Sequence, residues 1–244
     1  MNYSLLVSDL HLDAERPQHL AALKRLLADH AGQCDTLYVL GDLFETWIGD
    51  DDDSAFNLDA VAAFRAFSDK GSKLFFLHGN RDFLLGAQFA AQTGGTMLEE
   101  GTVVDLYGTP VLLMHGDNLC TLDEKYMAFR AQVRDPAWQA DMLAKPLEQR
   151  RMIAQMLRMQ SQQNNANKAE NIMDVTPAEV VRTMEAAGVA ELIHGHTHRP
   201  AVHEVRLTRG TGRRWVLGDW NDTGWLIRAD ATGQLALEEF ALAP

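Results

Sequence analysis

Five short polar clusters, each directly after an apolar run, constrain the fold of this chain more than any other feature. The apolar runs have the length of buried strands, and the first three alternate with segments whose apolar residues recur at spacings of three and four. This alternation of strand and helix predicts a parallel sheet with covering helices. The clusters are Asp9-Leu10-His11, Gly41-Asp42, Gly79-Asn80-Arg81-Asp82, His115-Gly116-Asp117 and His194-Gly195-His196-Thr197-His198.

The first half of the chain predicts strands and helices in alternation, and then a hairpin. The strands are placed at residues 5–7, 36–40, 73–77, 103–107 and 111–114, and the helices at residues 18–27 and 58–67. Residues 122–157 predict helices with no strand between them, broken near Pro136 and Pro146. The Asn- and Gln-rich stretch 161–171 predicts a loop or the frayed end of a helix.

The last part of the chain predicts one more helix and a β-rich finish. Thr176, Pro177 and Glu179 have the types and spacing of a helix start, and Gly188 is placed to end that helix. A strand at residues 192–193 follows. Antiparallel strands are then expected at residues 202–207, 214–217, 225–228 and 235–240.

The polar clusters are expected to meet in space, because sites in open α/β sheets form beyond the carboxyl ends of the strands. Each cluster alone is more often a turn or a helix start than a ligand, and His78 and His194 are interpreted as structural. Together the clusters offer carboxylate, amide and imidazole but no thiolate, a set that suits Mn, Fe, Zn or Ni. The expected metal ligands are Asp9, His11, Asp42, Asn80, His115, His196 and His198.

This ligand set predicts a hydrolase of phosphate esters or phosphoanhydrides. Two ions ~3.5 to 4 Å apart need a bridging carboxylate, and they clamp an in-line phosphoryl displacement. The formal net charge of −12 argues against a protein that coats nucleic acid. Residues 125–168 nevertheless hold eight basic and three acidic residues, about +5, and predict an anionic partner there. Two cysteines, Cys34 and Cys120, are too few for a disulfide framework and indicate a reducing cytoplasm.

In this order the clusters resemble those of the calcineurin-like metallophosphoesterases, over roughly residues 4 to 120 and 190 to 220. The resemblance implies an α/β fold, a two-sheet αββα sandwich with a binuclear centre. It implies that one ion is bound by Asp9, His11, Asp42 and His198. It implies that Asp42 bridges to a second ion, bound also by Asn80, His115 and His196. The expected catalytic residues are Asp42, Asn80, Arg81 and His115.

Arg81 departs from most of that family, which has His after the Gly-Asn, commonly assigned as the general acid. Arg does not give up a proton at ordinary pH but grips phosphate bidentately. An enzyme without the acid should prefer a leaving group that needs no proton, such as a phosphate monoester released from a diphosphate. Arg81 therefore predicts phosphoanhydride cleavage. A salt bridge between Arg81 and a neighbouring carboxylate is the alternative.

A closer resemblance covers nearly the whole chain. The segments 41–51, 78–86, 115–121 and 193–203 are similar to the UDP-2,3-diacylglucosamine pyrophosphatase family of lipid A biosynthesis. This implies the substrate UDP-2,3-diacylglucosamine, the products 2,3-diacylglucosamine 1-phosphate and UMP, two Mn²⁺ ions, and peripheral attachment to the anionic cytoplasmic face of the inner membrane. The implied substrate-binding residues are Asn80, Arg81, Asp123, Ser161, Asn165, Lys168 and His196. The chain departs from the family at residues 218–221, which are expected to lie away from the metal ligands.

The resemblance also divides the chain into a core, residues 1–121 and 169–244, and a helical insertion or cap, residues 122–168. Met side chains in the insertion are pliable enough for acyl chains, and Arg150, Arg151 and Arg158 suit phosphates and anionic headgroups. An ordinary helical hairpin packed on the core is the alternative. Two other functions stay open, a phosphoesterase acting on soluble nucleotides or other phosphodiesters, and a metal-poor binding module. No nucleic-acid partner and no obligatory protein partner is expected.

Overall fold

The computed structural model describes residues 2–165 and 174–243, and their backbone forms two sheets. The first sheet has the strand order β11 (Leu235–Ala241), β10 (Thr223–Asp230), β1 (Tyr3–Val7), β2 (Thr36–Leu40), β3 (Lys73–Leu77), β4 (Thr96–Met97). The second has the order β5 (Thr102–Leu106), β6 (Thr109–Leu113), β7 (Glu191–His194), β9 (Gly210–Val216), β8 (Ala201–Leu207). Strands β1 to β4 pair in parallel, as do β6, β7 and β9. Their carboxyl ends therefore lie at one edge of each sheet.

The helices of the described residues are α1 (Pro17–His30), α2 (Ala55–Ser68), α3 (Ala87–Thr93), α4 (Glu124–Val133), α5 (Pro136–Leu143), α6 (Leu147–Asn165) and α7 (Pro177–Ala187). Helices α1, α2 and α7 cover the outer faces of the two sheets. One apolar cluster joins α1 and α2 to the first sheet, a second lies between the sheets, and a third joins α7 to the second sheet. In β1, Leu5 and Val7 belong to the first cluster and Leu6 to the second, since successive side chains point to opposite faces. The predicted αββα fold class is confirmed.

Several local elements differ from the sequence-based expectation. Helix α3 and the two-residue strand β4 were not predicted. Helix α6 continues to Asn165, so the loop alternative for residues 161–165 is wrong. Residues 166–173 lie outside the described part. Helix α7 begins and ends as predicted, but the Thr176 hydroxyl does not cap it and instead accepts a hydrogen bond from Thr121 Oγ1 at 2.8 Å.

Helices α4 to α6 pack against the loops that follow the strands of the first sheet. Met142 of α5 is buried in the same cluster as α1 and α2, and Trp138 lies 6.0 Å from Phe83 between ring centroids. Arg134 Nη2 donates to the carbonyl of Gly79 at 3.0 Å. The division into core and cap stays a prediction. Among the described residues, no helix is long and apolar enough to cross a membrane.

Candidate metal centre

The loops after β1, β2, β3, β6 and β7 meet at the carboxyl edges of the two sheets. Backbone hydrogen bonds join the first two loops, from Asp9 N to Gly41 O at 3.1 Å and from His11 N to Asp42 O at 3.0 Å. A third bond crosses within the second sheet, from Gly195 N to the carbonyl of His115 at 2.9 Å. The structure thus brings together segments far apart in sequence, as the strand-end pattern predicted.

Asp9, His11 and His198 form the first group of possible ligands, with one donor atom from each lying within 4.8 Å of the others. The Nε2 atoms of the two histidines lie 3.2 Å apart, and His198 Nε2 is 3.4 Å from Asp9 Oδ1. Each imidazole therefore directs Nε2 toward the same point as the carboxylate.

The second group surrounds Asn80. Its Oδ1 lies 3.0 Å from His115 Nε2 and 2.8 Å from His196 Nδ1. Asp42 lies between the groups, because its Oδ1 is 3.7 Å from His115 Nε2 while its Oδ2 is 4.0 Å from His11 Nε2. A bridging carboxylate needs its two oxygens to face two different ions, and the Asp42 geometry meets that requirement.

Burial and charge at this point favour a cation. Asp9 is 0 % exposed and Asp42 2 %, and Asp9 Oδ1 is buried without a hydrogen-bond partner in the part of the chain that the structure describes. Burial alone lowers the pKa of His115, but the carboxylates of Asp42, Asp9 and others together raise that pKa to about 9. Buried carboxylates are costly unless they are paired or bind a metal. The donor set and its negative potential fit divalent metal ions.

The backbone is strained at the predicted ligands. Outside glycine, six described residues have a positive φ between 47° and 67°, and Tyr107 is the only one that is not a predicted ligand. The left-handed region costs a residue with a side chain of order 1–3 kcal/mol and persists where the surrounding structure enforces it. The five predicted ligands are Asp9, His11, Asp42, His196 and His198.

Two glycines allow the loops to approach this closely. A Cβ on Gly79 would lie 2.0 Å from Asp42 Oδ1, and a Cβ on Gly195 would lie 2.1 Å from Asp9 Oδ2. Any larger residue would displace the carboxylate that it faces. Asp82 joins the loops after β2 and β3, because it accepts hydrogen bonds from Leu43 N and Gly79 N at 2.7 Å each.

A second set of groups orients the imidazoles. The carbonyl of Leu40 lies 2.9 Å from His115 Nδ1, and a carbonyl can only accept, so Nδ1 carries a proton and Nε2 is the nitrogen that would bind a metal ion. Glu45 Oε2 lies 3.1 Å from His11 Nδ1. Asp219 Oδ2 lies 3.5 Å from His198 Nδ1.

Neither Glu45 nor Asp219 was predicted as part of the site. Glu45 stands three residues after Asp42 in a motif already singled out, so its position was the available signal. The expectation that residues 218–221 lie away from the ligands is wrong. Besides the contact of Asp219 with His198, Trp220 N donates to the carbonyl of Asp9 at 3.0 Å. The segment after β9 therefore completes the rim of the site.

A cavity of about 660 Å³ opens at these ligands. Its walls include five of the predicted substrate-binding residues: Asn80, Arg81, Asp123, Ser161 and His196. For Asn165 the structure describes the backbone at the end of α6, and Lys168 lies outside the described residues. Arg81 reaches the cavity from the β3 loop, with Nε 4.0 Å from Asp42 Oδ2 and Nη1 3.9 Å from Glu45 Oε1.

A smaller, largely apolar cavity of about 80 Å³ adjoins the first and shares Asn80 and Arg81 with it. Helices α4, α5 and α6 form one side of it and the loops after β2 and β3 the other. Its apolar walls include Trp47, Ile48, Phe83, Leu84, Phe129, Trp138, Met142 and Leu157.

Four arginines of α4 and α6 are paired with carboxylates of this same chain. Arg130 Nε lies 2.8 Å from Asp117 Oδ2, and Arg150 Nη1 donates to Asp51 Oδ1 at 2.7 Å. The other two pairs are Arg151 with Asp52 and Arg158 with Glu45. These internal pairs account for four of the eight basic residues between 125 and 168, and an external anionic partner for this segment stays a prediction.

His78 and His194 make hydrogen bonds to the backbone, in accord with their interpretation as structural. His78 Nε2 lies 2.7 Å from the carbonyl of Leu85, and His194 Nδ1 lies 2.8 Å from that of Gly195. Burial first, and then the neighbouring Arg214, lower the pKa of His194 to about 3.

Comparison with known proteins places this geometry in a family. Residues 4–200 match the model of the family described as calcineurin-like phosphoesterase. The chain is 53% identical over 237 residues to the UDP-2,3-diacylglucosamine hydrolase of Cellvibrio japonicus, covering 97% of this chain and 98% of that protein. The protein of the same name from Chromohalobacter salexigens is 52% identical over 239 residues, covering 98% of this chain and 97% of that protein.

A solved structure supports the fold alone. The crystal structure of a hypothetical protein from Pyrococcus horikoshii has a TM-score of 0.50 and 11% sequence identity, and the match covers 99% of this chain and 88% of that one. Family model, relatives and site geometry agree. The chain belongs to the calcineurin-like phosphoesterases, and within them to the family of the UDP-2,3-diacylglucosamine hydrolases.

Proposed function

We propose that this protein hydrolyses the diphosphate bond of UDP-2,3-diacylglucosamine to 2,3-diacylglucosamine 1-phosphate and UMP, a step of lipid A biosynthesis. Three relatives that are 50–53% identical to this chain over nearly their full length are named UDP-2,3-diacylglucosamine hydrolase, and this name supports the proposed substrate. The observation that carries the reaction type is the position of Asp42, whose two oxygens face two separate groups of ligand atoms.

The proposed cofactors are two divalent ions, proposed to be Mn²⁺, which would be held on either side of Asp42. When bound, such ions supply Lewis acidity and a water that is deprotonated near neutral pH. The chain itself does the positioning. Leu40 presents the Nε2 lone pair of His115, and Arg81 offers a planar fork to a phosphate but no proton. A diphosphate substrate suits Arg81 because its leaving group is a phosphate monoester, which needs no proton.

The lipid half of the substrate is proposed to lie toward the apolar cavity. That cavity adjoins the ligands, shares Arg81 with the main cavity and is walled by aromatic and aliphatic side chains. The glucosamine head is then proposed to contact the residues of α4, α6 and the segment that follows, namely Asp123, Ser161, Asn165 and Lys168. Helices α4 to α6 would act as a cap over the lipid.

We also propose peripheral attachment to the cytoplasmic face of the inner membrane. Met152, Met156 and Met159 are 54, 65 and 55 % exposed and recur on one face of α6 at spacings of four and three. Exposed apolar side chains grouped in this way are suited to a lipid surface. Arg151, on the same helix and 51 % exposed, is suited to lipid phosphates.

One comparison of substrates tests the proposed function. Protein freed of metal by chelator and reloaded with Mn²⁺ is assayed on UDP-2,3-diacylglucosamine and on a soluble UDP-sugar. We expect turnover of the lipid substrate and little of the soluble one. Equal turnover would support the phosphoesterase of soluble nucleotides, and absence of turnover on both, with no bound metal, would support the binding module.

A further inference from the structure

We propose that Glu45 is a positioning residue that couples the ligand His11 to helix α6. The proposal rests on the function proposed above, because it takes His11 as a metal ligand. The Glu45 side chain is 12 % exposed and lies between the loop after β1 and helix α6. Its carboxylate lies near one imidazole and three guanidinium groups. One oxygen faces the loop after β1, and the other faces Arg81 and helix α6.

Oε2 of Glu45 faces the core. It lies 3.1 Å from His11 Nδ1 and 3.3 Å from Arg16 Nη2, and the same Arg16 nitrogen donates to the carbonyl of His11 at 3.0 Å. A carboxylate beside Nδ1 stabilises the proton there and leaves Nε2, which points at Asp9 and His198, with its lone pair. The contact is an ion pair and not an aligned hydrogen bond, so the charge of Glu45 favours the tautomer of His11 that has its proton on Nδ1 and its Nε2 lone pair toward Asp9 and His198.

Oε1 of Glu45 faces the cap. It forms an ion pair with Arg158 of α6, and Arg81 Nη1 lies 3.9 Å from it. Of the three arginines of α6, Arg150 and Arg151 pair with Asp51 and Asp52, and neither aspartate has a contact with a predicted ligand among the described residues. Arg158 is thus the arginine of this helix whose partner also orients a ligand.

Coupling of this kind is reciprocal. If the Arg158–Glu45 pair steadies the carboxylate that orients His11, seating of α6 strengthens metal binding, and metal binding must strengthen the seating of α6 by the same factor. Leu157 and Ser161 of α6 form part of the walls of the main cavity. Metal binding would therefore stabilise the position of α6 in which this cavity is closed on that side.

The first test measures Mn²⁺ affinity on the full chain after chelator treatment, for four variants. We expect Glu45→Ala to weaken binding roughly 10- to 100-fold, as for other partners of ligating histidines, and Glu45→Gln to weaken it less. Arg158→Ala should weaken it about five-fold. Arg151→Ala is the matched control, since it removes an arginine of the same helix whose aspartate partner orients no ligand, and it should bind Mn²⁺ like the parent. Excess Mn²⁺ should restore turnover to Glu45→Ala and Arg158→Ala.

The second test measures how Mn²⁺ changes amide hydrogen exchange in helix α6. Mn²⁺ should slow amide hydrogen exchange around Arg158 in the parent and in Arg151→Ala, but much less in Glu45→Ala. Equal Mn²⁺ affinity of Arg158→Ala and Arg151→Ala, or exchange in α6 indifferent to Mn²⁺, would overturn the coupling. A parent protein that binds no Mn²⁺ overturns the proposed function as well. A parent that binds Mn²⁺ and turns over substrate, with no difference between the two arginine variants, overturns the coupling alone.

Discussion

The strand-end loops and the helices α4 to α6 build opposite sides of the same cavity, but different forces hold them. The loops are fixed by backbone hydrogen bonds, positive φ angles and glycines without room for a side chain. The helices are attached by a few apolar side chains, such as the buried Met142 and the half-buried Trp138, and by arginines paired with carboxylates of the loops. The first arrangement holds donor atoms rigidly, and the second allows a covering element to adjust to a substrate.

This difference predicts that substitutions in the loops act on chemistry and that substitutions in the helices act on substrate and stability. The largest effect is expected at the point where the two groups of ligands join. Asp42→Ala removes the carboxylate shared by both and should abolish turnover, because two cations would then repel each other at close range. Turnover is measured on UDP-2,3-diacylglucosamine with saturating Mn²⁺. More than about a tenth of the parent activity would contradict the bridging position.

The next largest effect is expected at Arg81, which lies on the loop side but faces the substrate. Arg81→Ala should lower kcat/KM by roughly 10²- to 10⁴-fold, on the scale of removing a strong charge-stabilising donor. Metal content should stay at the parent level, because Arg81 is not a ligand. Arg81→Lys should recover part of the loss, since one ammonium group cannot reproduce the planar fork. Parent-level hydrolysis by Arg81→Ala would remove the link from this residue to diphosphate substrates.

The sequence predicted the loop side far better than the helical side. Buried strands and the polar residues that end them are local patterns, and parallel pairing carries those ends to one edge, so the residues from Asp9 to His198 could be named in advance. The partners of those residues could not. Asp219 and the carbonyl of Leu40 contact imidazoles because of how loops close in space, which no spacing in the sequence records. For Glu45 the signal was its position three residues after Asp42, which does not by itself indicate a contact with His11.

On the helical side, charge alone could not identify the partners of the arginines. An excess of arginine looks the same in a sequence whether its partner is a phosphate or a carboxylate of the same chain, and Arg150 and Arg158 turned out to face Asp51 and Glu45. The short elements α3 and β4 were not predicted either, because seven and two residues are too few to show a hydrophobic periodicity. The helical character of residues 161–165 depends on continuation of α6 rather than on their own composition.

A smaller effect is expected on stability, where the buried Arg150 and the exposed Arg151 of α6 should differ. Arg150 is 2 % exposed and donates to the carbonyls of Ile48 and Lys145 as well as to Asp51. Arg150→Ala leaves those carbonyls without a donor and should lower the free energy of unfolding by about 1–3 kcal/mol. Arg151→Ala removes an exposed pair and should cost about 0–1 kcal/mol. Urea unfolding of both variants checks this, and equal losses would show that α6 is not anchored at Arg150.

The smallest effect is expected on the outer face of α6. Met156→Ser should weaken binding to vesicles of anionic phospholipid by about five-fold, as expected when a partly inserted side chain loses apolar area. Val202, which is 44 % exposed on the edge strand β8, supplies the matched control as Val202→Ser. Flotation with vesicles compares the two variants with the parent. Unchanged flotation of Met156→Ser would contradict a membrane contact through this face of α6.

The position of Asp42 between two groups of ligand atoms predicts that the strand-end loops bind two divalent ions, one on either side of this carboxylate. Titration of metal-free protein with Mn²⁺, followed by electron paramagnetic resonance, measures both the number of ions and their separation. We expect two ions per chain with the spectrum of a magnetically coupled pair, and a loss of the coupling in Asp42→Ala. A single ion per chain, or two ions without coupling in the parent, would contradict this prediction.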